Sequence, residues 1–382
     1  MQDKKKILFI VAEFWQAGGE RQTFEIINNL INENIDIEIL SLRALNSDKS
    51  KDDYYYQKYI DLKIKIHFLD NIPINYKPKI KERVLNKLSI KKLPSPNHLL
   101  IDFFSPYERV FFMGEYTLPV IERFLTNSIL EKTYVFIQFS VFQVPDNYLK
   151  YDKNKCYKFI SGFNETEILT ELSEFSRYKH FFFPLSITLE KKAVYSNWNN
   201  GIKRIGLFTR ITVNKPLDVF FYALHVMLCE GEKIELHIFG DCSENMQLIE
   251  NCLAYLNIKN YVFFHGHQLN MTQAAIDYKI DLVWFHSYYG APGGYASFDL
   301  SNIGVPQLFW NFTPEFDISS QSNSWPIFNN LKEFILETKK KLMNDKERIE
   351  LSNIQNNSVR KDRNIENHIG TIKKIVSDPI SH

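Results

Sequence analysis

The sequence predicts an α/β protein with two doubly wound domains that face each other across a cleft. Three observations predict this fold. The chain has 382 residues, which exceeds the usual size of one hydrophobic core. Short apolar runs typical of buried parallel strands alternate with amphipathic helical segments, and a glycine pair precedes a helix in each half. Apolar residues make up 45% of the chain, which excludes a disordered protein.

The first half begins with a βαβ unit. An apolar run at 7–12, a helical pattern with apolar residues at 24, 27, 30 and 31, and a second apolar run at 35–42 predict two parallel strands joined by a right-handed crossover. Further strands are predicted at 63–68, 109–113, 134–139, 157–160 and 180–183, and helices at 116–130 and 165–175.

The second half repeats this alternation after a polar stretch that ends in glycine. Strands are predicted at 204–209, 234–239, 261–264, 281–285 and 305–310, and helices at 216–229, 244–256 and 272–278. Charged, helix-rich sequence fills 331–376. We therefore expect an N-terminal domain at 1–187, a linker at 188–201 and a C-terminal domain at 202–355.

Composition limits the partners and the compartment. The formal net charge of +1 gives no overall attraction for nucleic acid. Four cysteines without a C-x-x-C pair favour a reducing, cytoplasmic compartment. The first strand is too short for a signal-peptide core, and no window approaches 18 continuous apolar residues, so no membrane-spanning helix is expected.

The segment 77–92 is strongly basic, with seven cations and one anion. Its residues Ile80, Val84 and Leu88 are spaced by four and would share one helix face. Such a helix can lie on an anionic bilayer, which would bring the protein to the inner face of the membrane. A solvated surface helix and binding of an anionic acceptor are the alternatives.

Two glycine pairs stand where a helix start can meet a phosphate. Gly18 and Gly19 follow the first strand, and Gly293 and Gly294 precede the helix that contains Asp299. Backbone N–H groups at these helix starts can bind a diphosphate, and the carboxylate of Asp299 can accept hydrogen bonds from ribose hydroxyls. Tight βα turns without a ligand also use Gly-Gly, so this alternative stays open for the first pair.

Arg210 and Lys215 lie beyond the strand predicted at 204–209. A guanidinium and an ammonium at the carboxyl edge of a sheet suit two phosphates, and they would stabilise the charge that develops on a leaving nucleoside diphosphate. The alternative is a surface pair on a βα loop.

These motifs together resemble glycosyltransferase family 4. Residues 17–21 (AGGER) resemble the GGxER opening of the family, Arg210 with Lys215 and Pro216 resembles its R-x4-K-G/P pair, and 290–306 is similar to the nucleotide-binding segment of GT-B glycosyltransferases. The resemblance implies two Rossmann-like domains in the GT-B architecture, with 356–382 crossing back to the first domain. It also implies hexosyl transfer from a nucleoside-diphosphate sugar, with UDP-sugars favoured, to a glycan, lipid-linked or protein acceptor.

The chain departs from the family pattern at two places. The family usually has two glutamates eight residues apart, and here these positions hold Ala291 and Asp299. Ala291 cannot hydrogen-bond a donor sugar, and 293–306 is closer to the O-GlcNAc transferase branch, in which the aspartate is expected to hold the ribose. Retention and inversion both stay open.

The family histidine of the first domain is the second departure, because Gln138 lies in the matching segment. A glutamine can bind a sugar hydroxyl but cannot act as a base. If the reaction needs a general base, Glu13 and Glu115 are candidates by position, although most glutamates at strand ends are only solvated.

His267 follows the strand predicted at 261–264, in an H-x-H pattern with His265. The resemblance places this loop beside the nucleotide base, so we expect His267 to contact base or ribose; loop packing and zinc chelation are the alternatives. No Asp-x-Asp triplet occurs, which favours a metal-independent reaction without a cofactor.

Two other functions fit the same fold. A GT-B-like subunit or chaperone without catalytic activity would explain the missing glutamate and histidine, although Arg210 and Lys215 are present. A nucleotide-sugar epimerase would act on the donor alone, without an acceptor.

Overall fold

The computed structural model describes residues 4–43, 53–72, 96–121, 125–137, 158–162, 179–189, 201–212, 215–241, 246–288, 293–313 and 324–378. The chain divides into two compact units. Unit 1 comprises Met1–Ser186 with Ile365–His382, and unit 2 comprises Ile187–Asn364. Each unit contains one parallel sheet, as the apolar runs predict.

Unit 1 has a seven-stranded sheet in the order β3-β2-β1-β4-β5-β6-β7, and every pair in it is parallel. The strands are β1 (Lys5–Val11), β2 (Ile35–Ser41), β3 (Lys65–Phe68), β4 (Arg109–Met113), β5 (Thr133–Ile137), β6 (Lys158–Ser161) and β7 (Lys179–Phe182). Apolar side chains of β1 point to both faces, because Ile7 and Phe9 belong to one core cluster and Leu8 and Ile10 to another.

The described helices of unit 1 are α1 (Gly18–Leu30), α2 (Tyr54–Asp61), α3 (Pro96–Phe104), α4 (Leu118–Ile121) and α5 (Asn127–Leu130). The single helix predicted at 116–130 is wrong, because residues 125 and 126 are not helical. Thr126 is extended, and the carbonyl of Thr126 accepts the backbone N–H of Leu130, so a new helix starts there. Polar residues of this type favour a helix start over a helix interior.

The last described helix, α12 (Ile369–Ser377), packs on the sheet of unit 1. Ile372 and Ile375 lie in the same core cluster as β1. Arg109 donates from Nε to the carbonyl of Ile375 at 2.9 Å, and Lys5 donates from Nζ to the carbonyl of Ser377 at 2.8 Å. Cations at the carboxyl end of a helix satisfy its last carbonyls and stabilise its dipole.

A buried carboxylate links three strands and a loop of unit 1. Glu38 on β2 accepts a hydrogen bond from the Tyr107 hydroxyl at 2.5 Å and contacts Lys6 at 2.7 Å and His67 at 2.5 Å. Burial raises the pKa of Glu38, but the hydrogen bonds from Lys6, Tyr107 and His67 outweigh burial and lower this pKa to about 2. The charged form of Glu38 therefore stabilises the fold at neutral pH.

Unit 2 has a six-stranded parallel sheet in the order β10-β9-β8-β11-β12-β13. The strands are β8 (Lys203–Phe208), β9 (Ile234–Phe239), β10 (Val262–Phe264), β11 (Leu282–Ser287), β12 (Gln307–Asn311) and β13 (Ile327–Phe328). The described helices are α6 (Asp218–Cys229), α7 (Met246–Tyr255), α8 (Met271–Asp277), α9 (Tyr295–Asn302), α10 (Leu331–Met343) and α11 (Asp345–Asp362).

Helix α6 begins at Asp218, two residues later than predicted. The first helical carbonyl is that of Leu217, which accepts the backbone N–H groups of Phe220 and Phe221. Pro216 therefore lies outside the helix, and its carbonyl is available to another partner.

Candidate functional site

The sheet of unit 2 reverses its strand order between β8 and β11. From β8 the chain proceeds outward through β9 and β10, whereas β11 is followed by β12 and β13 on the other side. In doubly wound folds, ligands bind at the carboxyl ends of the two strands that flank this reversal. Arg210 follows β8, and Gly293 and Gly294 follow β11, so the topology brings both predicted motifs to this place.

Arg210 and Lys215 form a cation pair that no described carboxylate neutralises. Arg210 is exposed and Lys215 is half-buried. Burial lowers the pKa of Lys215, and the charge of Arg210 lowers it further. In the described ranges, no carboxylate forms an ion pair with either side chain. Two neighbouring cations without a counter-ion are suited to bind a diphosphate, which would neutralise both.

Gly240, directly after β9, determines the path of the segment that carries Arg210. It has φ of 153°, and a Cβ placed on it would lie 1.8 Å from the carbonyl oxygen of Thr209. The N–H of Thr209 donates to the carbonyl of Phe239 at 2.9 Å, so the two segments stay in register up to this glycine. Any side chain at position 240 would therefore displace the residue next to Arg210.

Gly293 and Gly294 lead into α9, as the sequence predicts. Gly294 is the residue before the helix, and its carbonyl accepts the N–H of Ser297 at 2.9 Å. In the part of the chain that the structure describes, no side chain caps α9. A helix start of this kind can direct its N–H groups to a phosphate. Asp299 lies half-buried in the second turn of the same helix.

A buried polar network holds α9 on β12 and α11. The Gln307 side chain accepts from the hydroxyl of Ser297 at 2.6 Å and donates to the hydroxyl of Ser301 at 2.7 Å. Gln355 of α11 bonds the backbone of Gln307 in both directions, each at 2.9 Å. Asn356 donates to the last carbonyls of α9. Because each polar group has a partner, the network fixes the helix that carries Asp299.

A chain of hydrogen bonds precedes the loop that contains His267. Glu235 contacts His237 Nε2 at 3.2 Å, and His237 Nδ1 lies 2.9 Å from His265 Nε2. The two imidazole planes differ by 5°, and their centroids are 5.1 Å apart, so the rings meet edge to edge. Burial and, to a smaller extent, the neighbouring His237 lower the pKa of His265 to about 4. His267 itself is half-buried two residues beyond His265.

In unit 1, the predicted residues lie at the carboxyl ends of β1 and β4. Gly18 and Gly19 are the first residues of α1. Glu13 pairs with Arg43 at 2.7 Å, and Glu115 is buried at the start of a short 3-10 helix.

The phenol of Tyr116 reports how close these carboxylates lie to one another. Burial raises its pKa, and the negative charges of Glu20, Glu115 and Glu13 raise it further. Glu13, Glu20 and Glu115 therefore each lie within electrostatic range of the Tyr116 phenol in unit 1.

Several predicted positions lie outside the described residues: Gln138, Ala291, the helix predicted at 165–175 and the basic segment 77–92. Within the described ranges, no cluster of three or more histidine, cysteine, aspartate or glutamate side chains could hold a metal ion. No described helix is long and apolar enough to cross a membrane.

The sequence matches no protein-family model, and it matches no curated protein. Solved structures do resemble this chain. A variant of TarM from S. aureus, in complex with Fondaparinux, α-GlcNAc-glycerol and UDP, has a TM-score of 0.70 at 12% identity and covers 98% of this chain and 100% of its own. HepE from Anabaena, in complex with UDP and glucose, has a TM-score of 0.70 at 12% identity, with 98% and 99% covered.

A glycosyltransferase from Rickettsia africae has a TM-score of 0.68 at 14% identity, with 99% of this chain and 100% of its own covered. These neighbours are GT-B glycosyltransferases. The chain has the GT-B fold. The fold predicted from the strand pattern and from the family motifs is therefore confirmed.

Sequence reasoning missed two histidines of this GT-B fold: His237 and His286. His237 and His286 each interrupt an apolar strand run, and this interruption was the available signal. A histidine in a buried strand needs a hydrogen-bond partner. The partner of His286 is the carbonyl of Pro216, 70 residues away in sequence, and no local pattern predicts that contact.

Proposed function

We propose that the protein is a glycosyltransferase that transfers a hexose from a nucleoside-diphosphate sugar, with a UDP-sugar favoured, to a glycan, lipid-linked or protein acceptor. The observation that carries the proposal is the pair of Arg210 and Lys215 at the strand reversal of unit 2, which no carboxylate in the described ranges neutralises. The presence of UDP in the TarM and HepE structures supports the choice of nucleotide.

The chemistry follows from where charge develops. When the bond between the anomeric carbon and the diphosphate breaks, negative charge accumulates on the leaving diphosphate. Arg210 and Lys215 would stabilise this charge, and the N–H groups at the start of α9 would add hydrogen bonds. These cations provide the stabilisation that a divalent ion provides elsewhere, which supports a metal-independent reaction.

Asp299 would hold the ribose. Its carboxylate lies one turn beyond the start of α9, and it can accept hydrogen bonds from the ribose hydroxyls while the helix start holds the diphosphate. In unit 1, Glu13 and Glu115 are the candidates for deprotonating an acceptor hydroxyl. Glu13 also pairs with Arg43 at 2.7 Å.

Calorimetric titration tests the donor site. UDP, GDP and ADP are titrated into the wild type and into Asp299→Ala, with Asp277→Ala, an exposed aspartate of unit 2, as the matched control. We expect UDP to bind most tightly of the three. Asp299→Ala should weaken UDP binding by about tenfold, since a hydrogen bond to a charged group is worth about 1.5 kcal/mol.

A second titration, with 2′-deoxy-UDP, tests whether Asp299 contacts the ribose 2′-hydroxyl. The wild type should prefer UDP over the deoxy analogue, and this preference should disappear in Asp299→Ala. If none of the three diphosphates binds to the folded protein, a non-catalytic GT-B-like subunit becomes the better assignment. Conversion of a UDP-sugar without any acceptor would instead indicate an epimerase.

A further inference from the structure

His286 is a buried polar residue at the carboxyl end of β11, beside the strand reversal. It is 6% exposed, and aromatic rings surround it. The Phe312 ring lies 4.9 Å away with 29° between the planes, and Phe220 meets the imidazole edge-on at 5.1 Å. Such packing fixes the direction in which the two ring nitrogens point.

The imidazole makes one hydrogen bond to the backbone. Nε2 lies 3.0 Å from the carbonyl oxygen of Pro216. A carbonyl can only accept, so Nε2 carries the proton and donates it. Burial and, to a smaller extent, the charge of Lys215 outweigh the bond to Pro216 and lower the pKa of His286 to about 4. At neutral pH the ring is therefore uncharged and in the Nε2–H form.

This hydrogen bond acts on the segment that carries Lys215. The carbonyl of Pro216 lies before α6 and accepts no N–H from the first turn, which bonds to Leu217 instead. On its other side, the N–H of Lys215 donates to the carbonyl of Thr212 at 2.9 Å. The segment from Lys215 to Pro216 is thus anchored at one end by its own loop and at the other by β11.

We propose that His286 is a positioning residue, which holds the Lys215 ammonium at the diphosphate site through the carbonyl of Pro216. This role rests on the proposed function, whereas the hydrogen bond from His286 to Pro216 does not depend on it. A fixed segment reduces the conformational entropy that Lys215 loses when an anion binds. The hydrogen-bond donor to Pro216 must be uncharged, because a third cation beside Lys215 and Arg210 would repel both.

Two substitutions separate the hydrogen bond from the packing. H286F keeps an aromatic ring between Phe220 and Phe312 but cannot donate to Pro216. H286Q keeps an N–H donor at a similar reach. His225→Phe is the matched control, because His225 lies on α6 in the same unit and, among the described side chains, its ring hydrogen-bonds only to Cys229.

The first readout needs no nucleotide. The pKa of Lys215 is obtained from its rate of trace acetylation against pH, followed by peptide mass spectrometry, with the thermal midpoint as a folding check. In H286F we expect the pKa of Lys215 to rise toward its ordinary value of 10.5, because the released segment exposes the ammonium to water. H286Q and H225F should keep the wild-type value.

The second readout is UDP affinity. H286F should bind UDP about tenfold more weakly, whereas H286Q should bind as the wild type does, since the hydrogen bond and not the ring positions Lys215. A folded H286F with wild-type Lys215 pKa overturns the proposal. If H286F does not fold, H286M replaces it, because methionine fills the space without a donor. Absence of UDP binding by the wild type would refute the proposed function, while the acetylation result would still decide the role of His286.

Discussion

Replacing Lys215 by methionine is expected to stabilise the ligand-free protein and to weaken its binding of a diphosphate. Lys215 is half-buried beside Arg210, and no carboxylate in the described part of the chain pairs with it. Methionine keeps the unbranched shape of the side chain, and it has no charged group that would lose its hydration on burial. The substitution therefore removes a desolvated cation and a like-charge repulsion from the folded state.

The two effects have opposite signs and different sizes. Relief of the unpaired charge should raise the free energy of unfolding by about 1 kcal/mol, the usual size of one partly exposed charge interaction. Loss of a charge-assisted contact to the diphosphate should cost about 1.5–3 kcal/mol, which weakens UDP binding roughly tenfold to a hundredfold. Turnover should fall at least about tenfold if the same contact strengthens in the transition state.

Urea unfolding without ligand and calorimetric titration with UDP measure the two effects. Lys339→Met is the matched control in the same unit, because Lys339 pairs with Glu230 at 2.8 Å and with Glu232 at 3.1 Å. The control should lose a little stability or none, and it should keep its UDP affinity. A Lys215→Met protein that loses stability and binds UDP as tightly as the wild type would show that Lys215 is structural, and the reasoning would fail.

Three further predictions concern the frame of the site and the fold. Gly240→Ala should lower the free energy of unfolding by roughly 2 kcal/mol or more and weaken UDP binding, whereas Gly370→Ala, where a Cβ has open space, should do neither. Gln307→Leu should lower the free energy of unfolding in urea by about 2–4 kcal/mol, because it removes the hydrogen bonds to the buried hydroxyls of Ser297 and Ser301. An unchanged free energy of unfolding would contradict the role of this network. The pKa of Glu38 is lowered from 4.5 to about 2, so its charge contributes roughly 3 kcal/mol above pH 4.5, and this contribution disappears as the pH falls toward 2. The stability difference between wild type and E38Q should therefore shrink over that range, and a difference that does not change with pH would refute the assignment.

The strands could be predicted because central parallel strands are buried on both faces. The predicted bounds of β4 and β9, 109–113 and 234–239, agree with the structure. In β4 a continuous apolar run follows Arg109, and in β9 apolar residues remain dominant although Glu235 and His237 interrupt them. Edge strand β13 (Ile327–Phe328) has only two residues, too few to give a pattern. The interruption before α5 was missed because apolar spacing on both sides resembles one helix, while Thr126 favours a new start.

The sequence predicts a site residue only where its type and its position after a strand indicate its role. Arg210, Lys215 and the glycines before α9 follow strands, and strand ends of a parallel sheet meet at one edge. The role of Gly240 depends on the carbonyl of Thr209, which would lie 1.8 Å from a Cβ at position 240. The role of His286 depends on its hydrogen bond to the carbonyl of Pro216, on the other side of the strand reversal. Contacts between residues distant in sequence leave no local pattern, so only the fold shows them.

The cations of this chain differ in how their charge is satisfied, and this difference separates structural roles from the proposed binding role. Arg109 and Lys132 in unit 1 are bonded to backbone carbonyls, and Lys341 in unit 2 is paired with Glu337 and Glu347. Lys215, in contrast, precedes Pro216, whose carbonyl accepts a hydrogen bond from the neutral His286, and no described carboxylate neutralises the charge of Lys215. A carboxylate in that position would stabilise the ligand-free fold, but it would compete with an incoming diphosphate for both cations. Positioning by uncharged groups therefore keeps Lys215 in place while its charge stays available to a ligand.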